Sequence, residues 1–440
     1  MRRILILGAG RSSFVLINYL LSNASSNYWF VTVGDYSKEG AQEIVQNNKY
    51  GEAIFFDVNN TQQRNQEISQ SDIVVSMLPA RMHILVAKTC VDLRKHLVTA
   101  SYVSKEIQQL AFEAKSSNII LLNEMGLDPG IDHMSAMHII DNLKKDQFEI
   151  QSFKSYCGGL IPPKIDDNPW HYKFTWNPRN VVLDGQGVAQ YIKNGKYKYI
   201  PYNQLFLRTD DVNVLNLGVF EGYANRDSLS YRRRYGLDNI PTLLRGTLRR
   251  KGFCKSWDMF VQLGLTDDTY TIVDDITYRE FINLFLPYDK NLSVEEKFCD
   301  YFSISKDSTE FKKVEWLGLF LKNKINLDNV TPAKILQHIL EKKWMVNDND
   351  KDMIVMQHQF EFLEKNKLRK LSSSLVVFGE NDKDTAMAKT VGLPVAIATK
   401  LILNGKINSV GVQIPTTKEI YAPVLRELKD YGVNFIEKLV

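Results

Sequence analysis

The stretch richest in chemistry is residues 123–133, NEMGLDPGIDH. It follows the apolar run 119–122, which reads as a buried strand, and its Gly-Leu-Asp-Pro-Gly segment must turn the chain sharply. Ligands meet a doubly wound sheet at the carboxyl ends of its strands, so Asp128 stands where a carboxylate could work on a bound molecule. The alternative is that Asp-Pro-Gly only makes a turn and Asp128 caps the helix that follows. A second stretch, Gly8-Ala9-Gly10-Arg11-Ser12-Ser13, separates an apolar run at 4–7 from the helically spaced residues 14–21. That order is the one a dinucleotide-binding fingerprint requires: Gly8 permits the tight turn, and Gly10 lets the backbone approach a pyrophosphate at the helix N-terminus. The third position holds Ser13 in place of Gly or Ala. An expected strand at 29–33 leads to Asp35, 25 residues after Gly10. An acidic side chain there accepts the ribose hydroxyls of NAD and repels a 2′-phosphate, unless it merely caps the next helix.

These residues need a frame, and the apolar runs supply one. Expected strands at 4–7, 29–33, 53–56, 73–77, 96–99 and 119–122 alternate with helical stretches such as 82–93 and 105–116, which describes a parallel Rossmann sheet. Asp57 and Val58 follow the third strand on the adenine side, Leu78 follows the fourth beneath the cofactor, and Ala100, Ser101 and Tyr102 follow the fifth. Beyond residue 131 the pattern changes to a helix at 135–143 and an alternating, antiparallel-looking strand at 148–156. Glycines, prolines and aromatics then crowd the chain to about 245, as in loops that wrap a ligand. Residues 246–349 read as a helical domain. Two alternating runs, 353–362 and 370–378, read as strands returning to an antiparallel middle sheet, and a last helix at 385–404 returns to the first domain. The predicted fold is α/β: a Rossmann dinucleotide-binding domain (1–130 with 385–440), a mixed α/β substrate and dimerisation domain (131–245 with 350–384), and an inserted helical domain (246–349).

NEMGLDPGIDH, SYCGG at 155–159, DNPWHYKFTW at 167–176, NRDS at 225–228, RGTLR at 245–249 and TAMAKTVGLP at 385–394 occur in order, and together resemble the glutamate-forming saccharopine dehydrogenase family. The resemblance implies oxidation of saccharopine with a nicotinamide dinucleotide and water to glutamate and aminoadipate semialdehyde, or the reverse condensation, in a homodimer. It implies substrate contacts at Arg226, Thr247, Leu248, Arg249 and Ser101, with Ala100 where the family has a second serine. Arginine suits a substrate with three carboxylates because its planar fork matches them. Cofactor contacts follow at Leu127, Asp128, Pro129 and, with a different side chain, Asn177. Fungal members place an arginine where this chain has Tyr36 and use NADP, so Asp35 and Tyr36 point to NAD, with NADP the alternative. The general base is read as Asp128, with Tyr102 and Cys157 as neighbouring candidates and His133 as structural. A carboxynorspermidine-type polyamine dehydrogenase and a catalytically silent dinucleotide-binding regulator are the rival readings. The fold starting at the first residues is taken to exclude a fused lysine-condensing domain.

Composition agrees with an enzyme of small molecules. Hydrophobic residues make up 44%, charged residues 24%, and the net charge is only +4, which argues against a dedicated nucleic-acid binder. Cys90, Cys157, Cys254 and Cys299 form no metal-ligand spacing and are expected to be reduced thiols of a cytoplasmic protein. The apolar run after Arg3 is too short for a secretion signal, and no stretch is expected to approach the roughly 18 apolar residues of a membrane span.

Overall fold

The computed structural model describes residues 1–272, 275–347 and 350–439. The chain forms two compact units, one of Met1–Glu149 with Leu375–Ile436 and one of Ile150–Ser374 with the residues from Glu437.

The first unit is built on a parallel sheet of β1 (Arg2–Leu7), β2 (Trp29–Asp35), β3 (Gly51–Phe55), β4 (Ile73–Ser76), β5 (His96–Thr99) and β6 (Ile120–Leu122). A further strand, Gly411–Gln413, pairs with β6 and makes seven, in the order Gly411–Gln413, β6, β5, β4, β1, β2, β3. Ile4, Leu5, Ile6 and Leu7 are all buried, because helices cover both faces of the sheet. Strand order reverses between β1 and β4, and the loops leaving those two strands flank the crevice where such sheets bind ligands.

Helix Ala386–Leu403 packs on helix Phe14–Ser22 within this unit. Gly392 permits the approach, since a Cβ there would lie 3.0 Å from Leu16 N and 3.2 Å from Ser12 O. This helix corrects the sequence reading in one respect: it is long and apolar enough to cross a membrane. With 72% of it buried inside the protein, it is placed as a core helix.

The second unit carries β7 (Glu149–Leu160), β8 (Val188–Lys193), β9 (Lys196–Pro201), β10 (Thr209–Asn213), β11 (Val219–Ala224), β12 (Thr242–Arg250), β13 (Met353–Glu364) and β14 (Lys367–Phe378). The sheet runs β10, β11, β12, β7, β13, β14 and Phe435–Leu439, with β8 on β12 and β9 on β8. β7 does not behave as the antiparallel strand its alternation suggested: it pairs parallel to β12, Cys157 opposite Thr247. Alternation reports a strand with two unlike faces and carries no direction.

Residues 246–250 complete β12, so the boundary drawn at 245 cuts a strand, while the one drawn at 349 lies outside the described residues. The helices Phe253–Leu263 and Pro332–Trp344 belong to the second unit. Trp170, Tyr172 and Phe174, expected in ligand-wrapping loops, are instead fully buried against Phe253, Trp257 and Trp344. Burying so many rings outweighs exposing them to a ligand, since each removes about 150–250 Å² from water.

Candidate active site

Because Ile4–Leu7 is buried, β1 can leave the sheet only at its end. Gly8 makes that turn at φ +103°, donating its N–H to Gly34 O at 2.9 Å, and a Cβ would stand 2.9 Å from Met77 O. The turn presents Gly10, where an added Cβ would meet nothing within 4 Å. Arg11 to Ser13 form a single 3-10 turn that runs into helix Phe14–Ser22, with Arg11 exposed, Ser12 half-buried and Ser13 buried. An open backbone cradle at a helix start suits a pyrophosphate. Gly8→Ala is therefore expected to cost about 1–3 kcal/mol of stability from backbone conformation alone. The Met77 carbonyl adds to this, and thermal denaturation with and without dinucleotide would measure both losses.

Asp35 ends β2. Its Oδ2 accepts Ala9 N–H at 2.7 Å and its Oδ1 accepts Ser37 N–H at 2.8 Å, so the carboxylate ties the glycine turn to the turn after β2. Ser37, not Asp35, caps the next helix through its hydroxyl. Tyr36 is 74% exposed and leans on Phe55 with ring centroids 5.4 Å apart. Asp57 shapes its own turn by accepting Asn59 N–H at 2.9 Å, Val58 is buried, and Leu78 packs on the core beneath the sheet's edge.

The 123–133 stretch is where burial singles out one residue. Every residue from Asn123 to His133 is buried except Asp128, which is half-exposed. Its Oδ1 accepts a hydrogen bond from the Tyr102 hydroxyl at 3.1 Å. A buried polar frame holds both groups. Glu124 Oε1 accepts Val103 N–H at 3.2 Å, and Glu124 N–H bonds Ser101 O at 3.0 Å. His133 Nε2 is 2.9 Å from Glu124 Oε2, and its Nδ1 is 3.5 Å from Asp132 Oδ2. Asp132 in turn accepts Gly130 N–H at 2.6 Å. Leu127 and Pro129 are packed inside the turn, and Gly126 closes it by donating to Pro129 O at 2.9 Å. Asp128 does not cap the following helix Ile131–Lys145; it projects from the turn that precedes it.

The substrate-side residues lie in the second unit. Arg249, on β12, is 3% exposed, with Tyr172, Tyr223 and Phe253 rings 5.2, 5.8 and 5.5 Å from its guanidinium carbon. Its Nη1 donates to Leu248 O at 3.0 Å and its Nη2 lies 3.5 Å from Asp184 Oδ2, while its buried Nε has no hydrogen-bond partner among the described residues. Asp184 also accepts the Tyr223 hydroxyl at 2.6 Å. Thr247 and Leu248 are buried beside it, and Arg226 is exposed with a left-handed backbone, φ +44°. Cys157 is buried on β7, and Gly158 is explained by packing, since its Cβ would stand 2.6 Å from Leu248 O. Asn177 uses its side-chain oxygen to cap helix Pro178–Val182, accepting Arg179 N–H at 2.9 Å.

The structure thus gathers Gly8, Gly10, Asp35, Leu78, Ala100, Ser101, Tyr102 and Asp128 on loops at the carboxyl ends of strands of one parallel sheet, and places Asn177, Arg226, Thr247, Leu248, Arg249 and Cys157 in the other unit. Sequence reading missed Glu124 and Asp132 as the frame of Asp128, Asp184 as the partner of Arg249, and His83, which joins Ser76 to Ser101. His83 alone had a signal: it opens the helix after β4, at the ligand edge.

Fold and loops define a dinucleotide-binding α/β protein of the Rossmann class. The model of the saccharopine dehydrogenase NADP binding domain matches residues 4–122, and that of the saccharopine dehydrogenase C-terminal domain matches residues 126–433. The chain is 35% identical to alpha-aminoadipic semialdehyde synthase of Arabidopsis thaliana, over 99% of this chain and 44% of that protein. It is 34% identical to the NADP(+), L-glutamate-forming saccharopine dehydrogenase of Saccharomyces cerevisiae, over 100% of this chain and 99% of that one. The apo, histidine-tagged saccharopine dehydrogenase (L-Glu forming) from the same yeast superposes with a TM-score of 0.90 at 32% identity, covering 100% of both chains. This chain belongs to the saccharopine dehydrogenase family. It spans about half the length of the plant and mammalian relatives, 44% and 47% for those of Arabidopsis thaliana and Rattus norvegicus.

Proposed function

We propose that this chain is an L-glutamate-forming saccharopine dehydrogenase, oxidising saccharopine with a nicotinamide dinucleotide and water to L-glutamate and 2-aminoadipate 6-semialdehyde, or running the reverse reductive condensation. The observation that carries the reading is the single half-exposed carboxylate, Asp128, in a turn otherwise buried, hydrogen-bonded to Tyr102 at the carboxyl edge of the sheet. A dinucleotide, once bound, would supply the hydride acceptor. Asp128 takes the proton of the secondary amine as the hydride leaves the lysine ε-carbon, which gives an imine. Asp128 then guides water onto the imine carbon, and the C–N bond breaks to release glutamate and the aldehyde. Tyr102 holds the carboxylate in place. Gly8, Gly10 and residues 11–13 would cradle the pyrophosphate, and Leu127 and Pro129 would form the wall beside the nicotinamide. In the second unit Arg226 and Arg249, with Thr247 and Leu248, are the groups suited to carboxylates, and in the first unit Ser101 is. Cys157, buried in the strand, is given no proton to move.

The proposal takes NAD in preference to NADP. Asp35 is fixed by two backbone N–H groups at the end of β2, and Tyr36 brings no positive charge, so a 2′-phosphate would meet a carboxylate. Three fungal relatives are named for NADP(+), which makes the comparison informative. Initial rates at the reduced-nicotinamide absorbance band, with saccharopine and either dinucleotide, are expected to favour NAD by at least about tenfold in kcat/KM, the factor that 1.4 kcal/mol of carboxylate–phosphate repulsion gives. Preference for NADP would overturn the role of Asp35 and leave the reaction standing. No reduction with either would favour the regulator. The proposal extends to a homodimer in the cytoplasm, where four free, buried cysteines suit a reducing compartment.

A further inference from the structure

The chain leaving β4 enters helix His83–Asp92 through His83, whose side chain is 1% exposed. His83 Nδ1 lies 2.8 Å from the Oγ of Ser76, the last residue of β4, and Nε2 lies 2.7 Å from the Oγ of Ser101, just beyond β5. Thr99 Oγ1 is more distant from Nε2, at 3.4 Å. Burial holds the His83 ring down to about 4, so it is neutral in the working range. A neutral imidazole has one donor and one acceptor, which gives the chain of hydrogen bonds a direction.

Ser76 fixes that direction. It is fully buried, and His83 Nδ1 is its hydroxyl's hydrogen-bond partner among the described residues. A buried hydroxyl proton without an acceptor is costly, so Ser76 donates to Nδ1 and the ring proton sits on Nε2. Nε2–H then donates to Ser101 Oγ. The half-exposed Ser101 keeps its own proton for a ligand, while its backbone is fixed by Glu124 N–H on its carbonyl at 3.0 Å.

We propose that His83 is a positioning residue that makes Ser101 a hydrogen-bond donor to a carboxylate of the substrate. The ligand class follows from the direction: with His83 Nε2–H on one lone pair, the Ser101 proton is left for a group that accepts, as a carboxylate does. The inference rests on the substrate reading above.

The test is steady-state kinetics of His83→Phe, Ser101→Ala and the double variant against wild type. Each single change is expected to raise the KM for saccharopine about tenfold, the usual weight of a hydrogen bond to a charged group, with the KM for dinucleotide unmoved. The double variant should be no worse than Ser101→Ala alone, because both changes remove one interaction. His83→Gln, whose amide can still donate to Ser101, should recover most of the loss. Additive effects, or an unchanged KM in His83→Phe, would overturn the proposal. Imidazole ¹⁵N shifts of the wild-type protein decide the direction without turnover: a proton on Nε2 supports it and a proton on Nδ1 sinks it. If wild type does not oxidise saccharopine, the functional reading falls while those shifts still judge the relay.

Discussion

Asp128→Asn is expected to leave a folded protein that binds dinucleotide normally and to lower kcat for saccharopine by about 10²–10⁴, the range that a positioned general base supplies. Asparagine matches aspartate in volume, and its carbonyl oxygen can still accept the Tyr102 hydroxyl that now lies 3.1 Å from Oδ1. What it cannot do is take a proton. The turn itself is held by other groups: Glu124 on Val103, Asp132 on Gly130, and His133 between the two carboxylates. The substitution therefore separates chemistry from folding. Tyr102→Phe, which removes only the positioning hydrogen bond, should cost about two- to tenfold, in line with a net 0.5–1.5 kcal/mol for one such bond. Single-turnover absorbance at the reduced-nicotinamide band, beside dinucleotide affinity from fluorescence, makes the measurement. A wild-type kcat in Asp128→Asn would move the role of base to a substrate carboxylate.

The parts of this site that were legible in the sequence are those whose partners are close in the chain. Gly8 and Gly10 announce a turn between an apolar run and a helix, and Asp35 stands at the expected distance; each is a local signal that packing then enforces. Asp128 was legible for the same reason, as the polar member of a turn after a buried strand. The alternation at 148–156 gave a strand but not its parallel partner β12, which arrives after four intervening strands. The strand Gly411–Gln413 is too short for any period to register. Ser76, His83 and Ser101 meet only because β4 and β5 lie side by side, a fact of sheet order rather than spacing. The aromatics at 170–176 looked like a ligand enclosure because composition cannot tell a wet cluster from a dry one. Their partner Trp344 lies in a helix that closes the cluster from far along the chain.

Arg249→Lys is the change expected to damage substrate recognition most while keeping the charge. The guanidinium is buried among Tyr172, Tyr223 and Phe253, and Asp184, its one carboxylate among the described residues, stands 3.5 Å from Nη2. Nη1 is spent on Leu248 O, and Nε has no partner among the described residues. In surroundings this dry, a second carboxylate presented to Nε and Nη2 would gain far more than at a wet surface, and a bidentate fork is the geometry that captures it. Lysine offers a point charge with no fork, so kcat/KM for saccharopine should fall about 10²-fold or more, the usual 2–5 kcal/mol for truncating one partner of a buried charged pair, with the KM for dinucleotide unchanged. Arg249→Met goes further. It strands Asp184 with the Tyr223 hydroxyl, at 2.6 Å, as its one remaining hydrogen-bond donor among the described residues. Breaking a buried pair in this way costs about 3–5 kcal/mol of stability, so the methionine variant should also melt earlier, which thermal denaturation will report. The two variants separate recognition from support: a lysine variant with wild-type kcat/KM would make Arg249 a structural cation for Asp184 and leave the exposed Arg226 to meet the substrate.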